Sequence, residues 1–249
     1  MQPLPHPVSA RNTPGRAETR LFIAPYVDEA VCDTEVVFDA DGRVRFADEL
    51  PTDRCVDGYL WQRWQGTQTG GQRWAEHLPV RQRDVMRHPP RCGGCTGEAD
   101  VDARGMFWLL NADARTAQLT FPCDIVTATP PMCLDDARKA QRFCPELQEG
   151  FIALRVREAE LIGVQGTVYS PTGPPQADQL VQFDDSRMDR VVARQMVIKL
   201  YGAQRDTTTL AVARPGDEHR CPHARGAGRG DSSRILWGDA RSVTSTPAQ

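Results

Sequence analysis

The sequence predicts an α+β fold, and three observations carry that expectation. Stretches of alternating hydrophobicity recur along the chain, two stretches carry a helical repeat of apolar residues, and turns rich in Gly and Pro punctuate them. The expected architecture is a set of small antiparallel hairpins or a mixed sheet, with a cysteine-rich module near the centre and a packed C-terminal helix. A flexible N-terminus is expected over residues 1–18, a single domain over 19–206 with the cysteine module at 88–147, and a disordered polar tail over 207–249.

Residues 21–26 suit a first strand. Residues 35–46 read as a β-hairpin: Val36 and Phe38 alternate on one arm, Val44 and Phe46 on the other, and Asp41-Gly42 supplies the turn. Trp61, Trp64 and Trp74 surround a Gly-rich break at 66–71. The three-residue spacing of Trp61 and Trp64 puts both on one face of a short helix. They read first as core anchors and second as the lining of a ligand pocket.

Strands are expected over 105–110, 117–121 and 125–129. A helix should start near Pro130-Pro131, capped by Thr129, and run to about Phe143. Cys144-Pro145 ends it, because the residue before a proline is pushed out of helical angles. Residues 151–157 alternate, with Ile152, Leu154 and Val156 on one face and Arg155 and Arg157 on the other. Residues 162–169 continue the pattern, so the two suit a second hairpin across 158–160. Gly173-Pro174-Pro175 marks a loop. Ser186 caps an expected helix over 187–201, with Met188, Val191, Val192, Met196 and Leu200 on its apolar face.

Composition narrows the function. A net charge of −3 supplies no global attraction to nucleic acid or anionic membrane. No apolar run is long enough to span a bilayer, and the N-terminus lacks the pattern of a secretion signal, so a cytoplasmic protein with no membrane partner is expected. The 28 Arg against 2 Lys, Lys139 and Lys199, read as the signature of a GC-rich genome. Eight Cys in a reducing compartment point to metal ligands before disulfides.

The strongest local signal is Cys92-Gly93-Gly94-Cys95-Thr96-Gly97. Two cysteines at this spacing can hold one metal ion from a tight turn, and the glycines let backbone amides approach the sulfurs. A redox pair would normally cap a helix after a strand, and here polar turn residues follow. The second half of the site is Cys133-Leu134-Asp135-Asp136, where residues i and i+3 share a face in the first turn of a helix. Knuckle, hairpin, then helix with ligands in its first turn is the order of a treble-clef-like zinc finger. Cys92, Cys95, Cys133 and Asp136 are therefore the candidate Zn2+ ligands.

Cys144 and Cys123 are the rival fourth donors, and Asp136 has the simpler reading of an acidic residue favoured by the helix dipole. Cys32 and Cys55 flank the first hairpin, and His219, Cys221 and His223 form an alternating donor cluster in the tail. The spacing Cys92-x2-Cys95, then Pro130-Pro131-Met132-Cys133-x2-Asp136-Ala137, then Cys144-Pro145-x-Leu147 resembles a group of uncharacterised actinobacterial proteins over residues 88–170. The resemblance implies a structural zinc finger and brings no activity. Its members usually carry a second cysteine at the position of Asp136, so the departure here implies a more labile or partly open metal position.

Several chemistries lack their residues. The expected hairpin and helix contain no His for a metal-dependent nuclease, and no phosphate-binding loop or nucleophile elbow appears. His77 and His88 are the only His in the body of the chain, with His88 a candidate base beside an open metal. Arg81, Arg83, Arg87 and Arg91 lead into the knuckle, and Arg138, Lys139 and Arg142 lie on the metal-bearing helix; together they could touch phosphates. The first functional expectation is a zinc-binding adapter or regulator with a protein partner, the ion acting structurally. The alternatives are an enzyme of specialised metabolism with an open zinc position, and a nucleic-acid-binding regulator.

Overall fold

The run Met106-Phe107-Trp108-Leu109-Leu110 has no polar face, so a strand there needs apolar cover on both sides. The computed structural model, which describes residues 20–56, 58–112, 118–210 and 234–236, supplies that cover from two separate cores. In chain order the elements are β1 (Ala30–Val31), β2 (Val36–Phe38), β3 (Val44–Phe46), β4 (Leu60–Trp61), β5 (Trp64–Gln65), α1 (Pro79–Met86), β6 (Val101–Asp102), β7 (Gly105–Asn111), β8 (Cys123–Thr127), α2 (Leu134–Phe143), α3 (Pro145–Glu149), β9 (Phe151–Val156), β10 (Glu158–Ser170), β11 (Gly173–Gln182), β12 (Val191–Arg205) and β13 (Arg234–Leu236). The fold is mixed α+β and mostly antiparallel.

One sheet dominates, in the order β11-β10-β12-β9-β7-β6, with β4 and β8 also pairing β12 and β13 pairing β10. Strand β12 is its spine. One edge runs along β10 from Val191 to Tyr201; the other meets β4, then β8, then β9. Side chains of β7 alternate between the cores: Met106, Trp108 and Leu110 enter the larger, Phe107 and Leu109 the smaller. Strand β9 does the same, with Ile152 and Leu154 on one side and Ala153 on the other. The smaller core also contains Cys92, Cys133, Ala137 and Ala140, so α2 and the cysteine knuckle close that face.

Two polar clusters are buried between these layers. Gln82 on α1 donates to the carbonyls of Ala128 (2.7 Å) and Met196 (2.9 Å) and accepts from the Met196 amide (2.9 Å), tying the helix to β12. Arg155 is sealed on β9, where its guanidinium meets Asp206 at 2.9 Å and Asp100 at 2.7 Å. Burial alone would raise the Asp206 pKa, yet Thr209, the amides of Thr208 and Thr209, and Arg155 hold it well below the usual carboxylate range.

Several expectations are met and others corrected. The 35–46 hairpin forms, with Gly42 at φ 77° in its turn. The alternation at 105–110 and 151–157 gives β7 and β9. The packed C-terminal helix over 187–201 is instead a short 3-10 turn, Ser186–Arg190, followed by β12. The β-branched Val191, Val192, Val197 and Ile198 favour a strand, and pairing on both edges decides the conflict. The second hairpin does not join β9 to β10, because β12 lies between them. The Gly173-Pro174-Pro175 loop is the start of β11, an edge strand where proline is tolerated. Trp61 and Trp64 lie on β4 and β5, not on a helix. Residues 21–26 form turns and irregular backbone, with a single β-bridge from Tyr26 to Gln72. In the expected strand 117–121 the described part is irregular. Helix α2 starts at Leu134 with Cys133 as its N-cap, four residues later than Thr129 would set it.

The expected flexible N-terminus and the His219, Cys221 and His223 cluster lie outside the described residues, as does most of the expected tail. Within that tail, 234–236 pair with β10 as β13. No helix among the described residues is long and apolar enough to cross a membrane.

Candidate metal centre

A tight turn at 92–97 sets the first two donors. Thr96 donates its amide to the Cys92 carbonyl (3.0 Å), Cys92 donates to the Gly97 carbonyl (2.8 Å), and Thr96 takes a positive φ of 63°. The turn is braced from outside: Phe22 and Ile23 donate to the carbonyls of Gly94 (2.7 Å) and Gly93 (3.1 Å). The buried segment 21–24 thus serves as a backbone clamp on the knuckle.

The other two donors come from the start of α2. Cys133 is the N-cap residue, and Asp136 follows it in the first turn. Contact between knuckle and helix requires glycine. A Cβ on Gly94 would lie 2.4 Å from the Asp136 carboxyl carbon, and one on Gly93 would lie 2.6 Å from Pro130. The spacing in Cys-Gly-Gly-Cys therefore serves the approach of a second element as well as the turn itself.

The structure brings all four candidate ligands together. One donor atom from each of Cys92, Cys95, Cys133 and Asp136 lies within 4.8 Å of every other, so the group could hold a metal ion. The Cys95 and Cys133 sulfurs are 3.9 Å apart, and Asp136 Oδ2 lies 3.3 Å from both Cys92 Sγ and Cys133 Sγ. Backbone amides of Gly94 (3.3 Å) and Cys133 (3.2 Å) donate to Cys92 Sγ, an arrangement that favours a thiolate. Cys92, Cys133 and Asp136 are buried, and Cys95 is exposed.

The electrostatics are those of four acidic groups sharing one small space. The hydrogen bond from Cys133, followed by that from Cys92, holds the Cys95 thiol well below its ordinary value. The same contact with Cys92, then that with Cys95, pushes Cys133 up. Cys92 gains from Cys133, but Cys95 and burial outweigh that and push it up to about 12. Like charges this close oppose one another's ionisation, and a bound cation would relieve that repulsion. Lys139 donates to Asp136 Oδ1 at 2.8 Å, one turn along α2. Burial weakens its charge, but the Asp136 carboxylate holds its pKa above the usual lysine range.

The rival donors lie elsewhere. Cys144 caps the far end of α2, and Cys123 starts β8 against the larger core; neither joins the donor group. His88 is outside it as well. Cys32 and Cys55 are not joined by a disulfide. Sequence reasoning passed over Lys139 as a partner of Asp136, although i and i+3 spacing of opposite charges was readable.

The basic residues separate into different settings. Arg81 is buried in an ion pair with Glu29 and donates to the Ala24 carbonyl (3.1 Å). Arg83 lies over the Trp61 ring, Arg138 pairs with Asp135, and Arg142 lies over the Phe143 ring. Arg91 donates to the Asp84 carbonyl at 3.1 Å. A scan against protein-family models, a search of curated proteins and a search of solved structures each found no match, and the resemblance in cysteine spacing rests on the sequence alone.

Proposed function

We propose that Cys92, Cys95, Cys133 and Asp136 bind one Zn2+ ion that holds a treble-clef-like module onto the sheet, and that the protein acts as an adapter or regulator. One observation carries the metal assignment. Tetrahedral zinc with bonds of about 2.3 Å to sulfur and about 2.0 Å to oxygen needs S···S edges near 3.8 Å and S···O edges near 3.5 Å. Here the Cys95–Cys133 edge is 3.9 Å, Asp136 Oδ2 lies 3.3 Å from the Cys92 and Cys133 sulfurs, and every edge is within 4.8 Å. Three soft donors select zinc over calcium or magnesium. Three thiolates and a carboxylate around a divalent ion leave excess negative charge, which Lys139 offsets. The ion's role is structural: it joins a turn to a helix in a small core where two of the buried residues are themselves ligands.

The test is the metal content of the purified chain, wild type and Asp136→Ala, with thermal unfolding before and after chelation. We expect one zinc per wild-type chain and a marked fall in melting temperature on its removal. A metal-free wild type that unfolds at an unchanged temperature would sink the assignment.

One observation favours an enzyme as the second reading. Cys95, Asp136 and Lys139 border an open groove of about 620 Å³ that Tyr26 and Arg20 also line. A ligand entering it would reach the exposed edge of the donor set. An exchangeable water on the bound metal, read with Co2+ in place of Zn2+, separates an open site from a closed one.

A further inference from the structure

We propose that the cavity between the β4–β5 segment and helix α1 binds a small aromatic carboxylate. The cavity holds about 530 Å³, within the range of ligand sites. Its residues share none with the donor group of the metal centre, so the inference goes beyond the adapter reading and does not depend on it.

The walls pair an apolar surface with one guanidinium, that of Arg87, that no described residue neutralises. Trp61, Trp64, Leu78 and Val80 supply the surface for a ring. Both acids on the lining are already taken, Glu29 by Arg81 and Asp53 by Arg63. Of the arginines there, Arg54 is matched by Glu49, and Arg63 by Asp48 and Asp53. Arg83 sits 5.4 Å from the centre of the Trp61 ring and pairs with Asp84 at 3.3 Å. One remains. The Arg87 side chain has no hydrogen-bond or ion-pair partner among the described residues. A cationic ligand would face like charge, and a neutral ring would leave the Arg87 guanidinium unused.

Trp61 gives a second, independent sign. It is 1% exposed, and its indole N–H has no acceptor among the described residues. An orphaned buried donor carries a desolvation cost that phenylalanine at this position would avoid. Trp61 and Arg87 line the same cavity, where a carboxylate would supply the acceptor that the Arg87 guanidinium lacks.

The test is calorimetric titration of the full chain with 2-naphthoate, with 2-naphthamide and benzyltrimethylammonium as controls. We expect one site per chain for the acid, about tenfold weaker binding of the amide, and no binding of the cation. Arg87→Gln should weaken 2-naphthoate about tenfold, Trp61→Phe about fivefold, and Arg138→Gln on α2 not at all. Zinc content should be the same in all three variants, which separates this site from the metal reading. Absence of acid binding at millimolar concentration overturns the proposal, as does equal affinity for acid and amide. Unchanged affinity in Arg87→Gln overturns it too, and that variant decides the matter if Trp61→Phe folds poorly.

Discussion

Replacing Gly94 by alanine tests the metal centre through its most crowded contact. The added methyl would lie 2.4 Å from the Asp136 carboxyl carbon and 2.5 Å from its Oδ2. Ordinary carbon contacts need about 3.5 Å or more, so the carboxylate must retreat by about 1 Å. Metal–ligand distances tolerate shifts of only about 0.2 Å, so the fourth bond is lost or badly strained. Zinc affinity should fall about 100-fold, a larger effect than typical outer-shell changes because a ligand itself is displaced. Gly97→Ala is the internal control, since its methyl would meet Cys95 Sγ at 3.4 Å, a contact relieved by a shift of a few tenths of an ångström. Competition against a chromophoric chelator reads both variants. If Gly94→Ala keeps zinc as tightly as Gly97→Ala, the packing of knuckle on helix does not govern the site and the argument fails.

Four further outcomes follow from the same coordinates. Cys144→Ala and Cys123→Ala should leave zinc content unchanged while Cys133→Ala abolishes it, read by elemental analysis. Asp206→Ala should destabilise the fold by about 3 kcal/mol in urea unfolding, because it removes the closest acceptor on Arg155 Nε and leaves the sealed guanidinium undercompensated. Gln82→Leu should cost about 2–4 kcal/mol, since the Met196 amide and two carbonyls lose their partner inside the core. Burial pushes half-buried His77 down to about 4, so its neutral form stabilises the fold above pH 6.5 and that contribution is lost as pH falls toward 4. Discounted for its partial exposure, the loss is about 2 kcal/mol, and His77→Gln should flatten the stability profile between those pH values.

The donor set was legible because its signals are local: two residues between Cys92 and Cys95, two between Cys133 and Asp136, and an intact helix start. The first hairpin was legible for the same reason. What failed depended on distant pairing. Met188, Val191, Val192, Met196 and Leu200 satisfy a helical repeat, yet Val191–Arg205 is the strand every other part of the main sheet needs. A strand covered on both faces carries apolar residues at both parities, and that pattern is also compatible with a helix. Arg155 shows the converse limit. Its alternation marked it as outward-facing, and only the fold reveals Asp100 and Asp206 waiting there. Trp61 and Trp64 were flagged as core or pocket, and they are both: each lines the cavity beside α1 while Trp61 also joins the larger core.

Strand β7 is a party wall. Phe107 and Leu109 lean on the chamber that houses the thiols, and Trp108 and Leu110 support the chamber opposite. Removing the proposed ion should therefore loosen a partition that two rooms share, and the disturbance should register at the Trp108 indole, whose N–H donates to the Thr129 carbonyl at 3.1 Å just ahead of the helix that carries Asp136. Tryptophan emission would then be a remote gauge of the proposed ion.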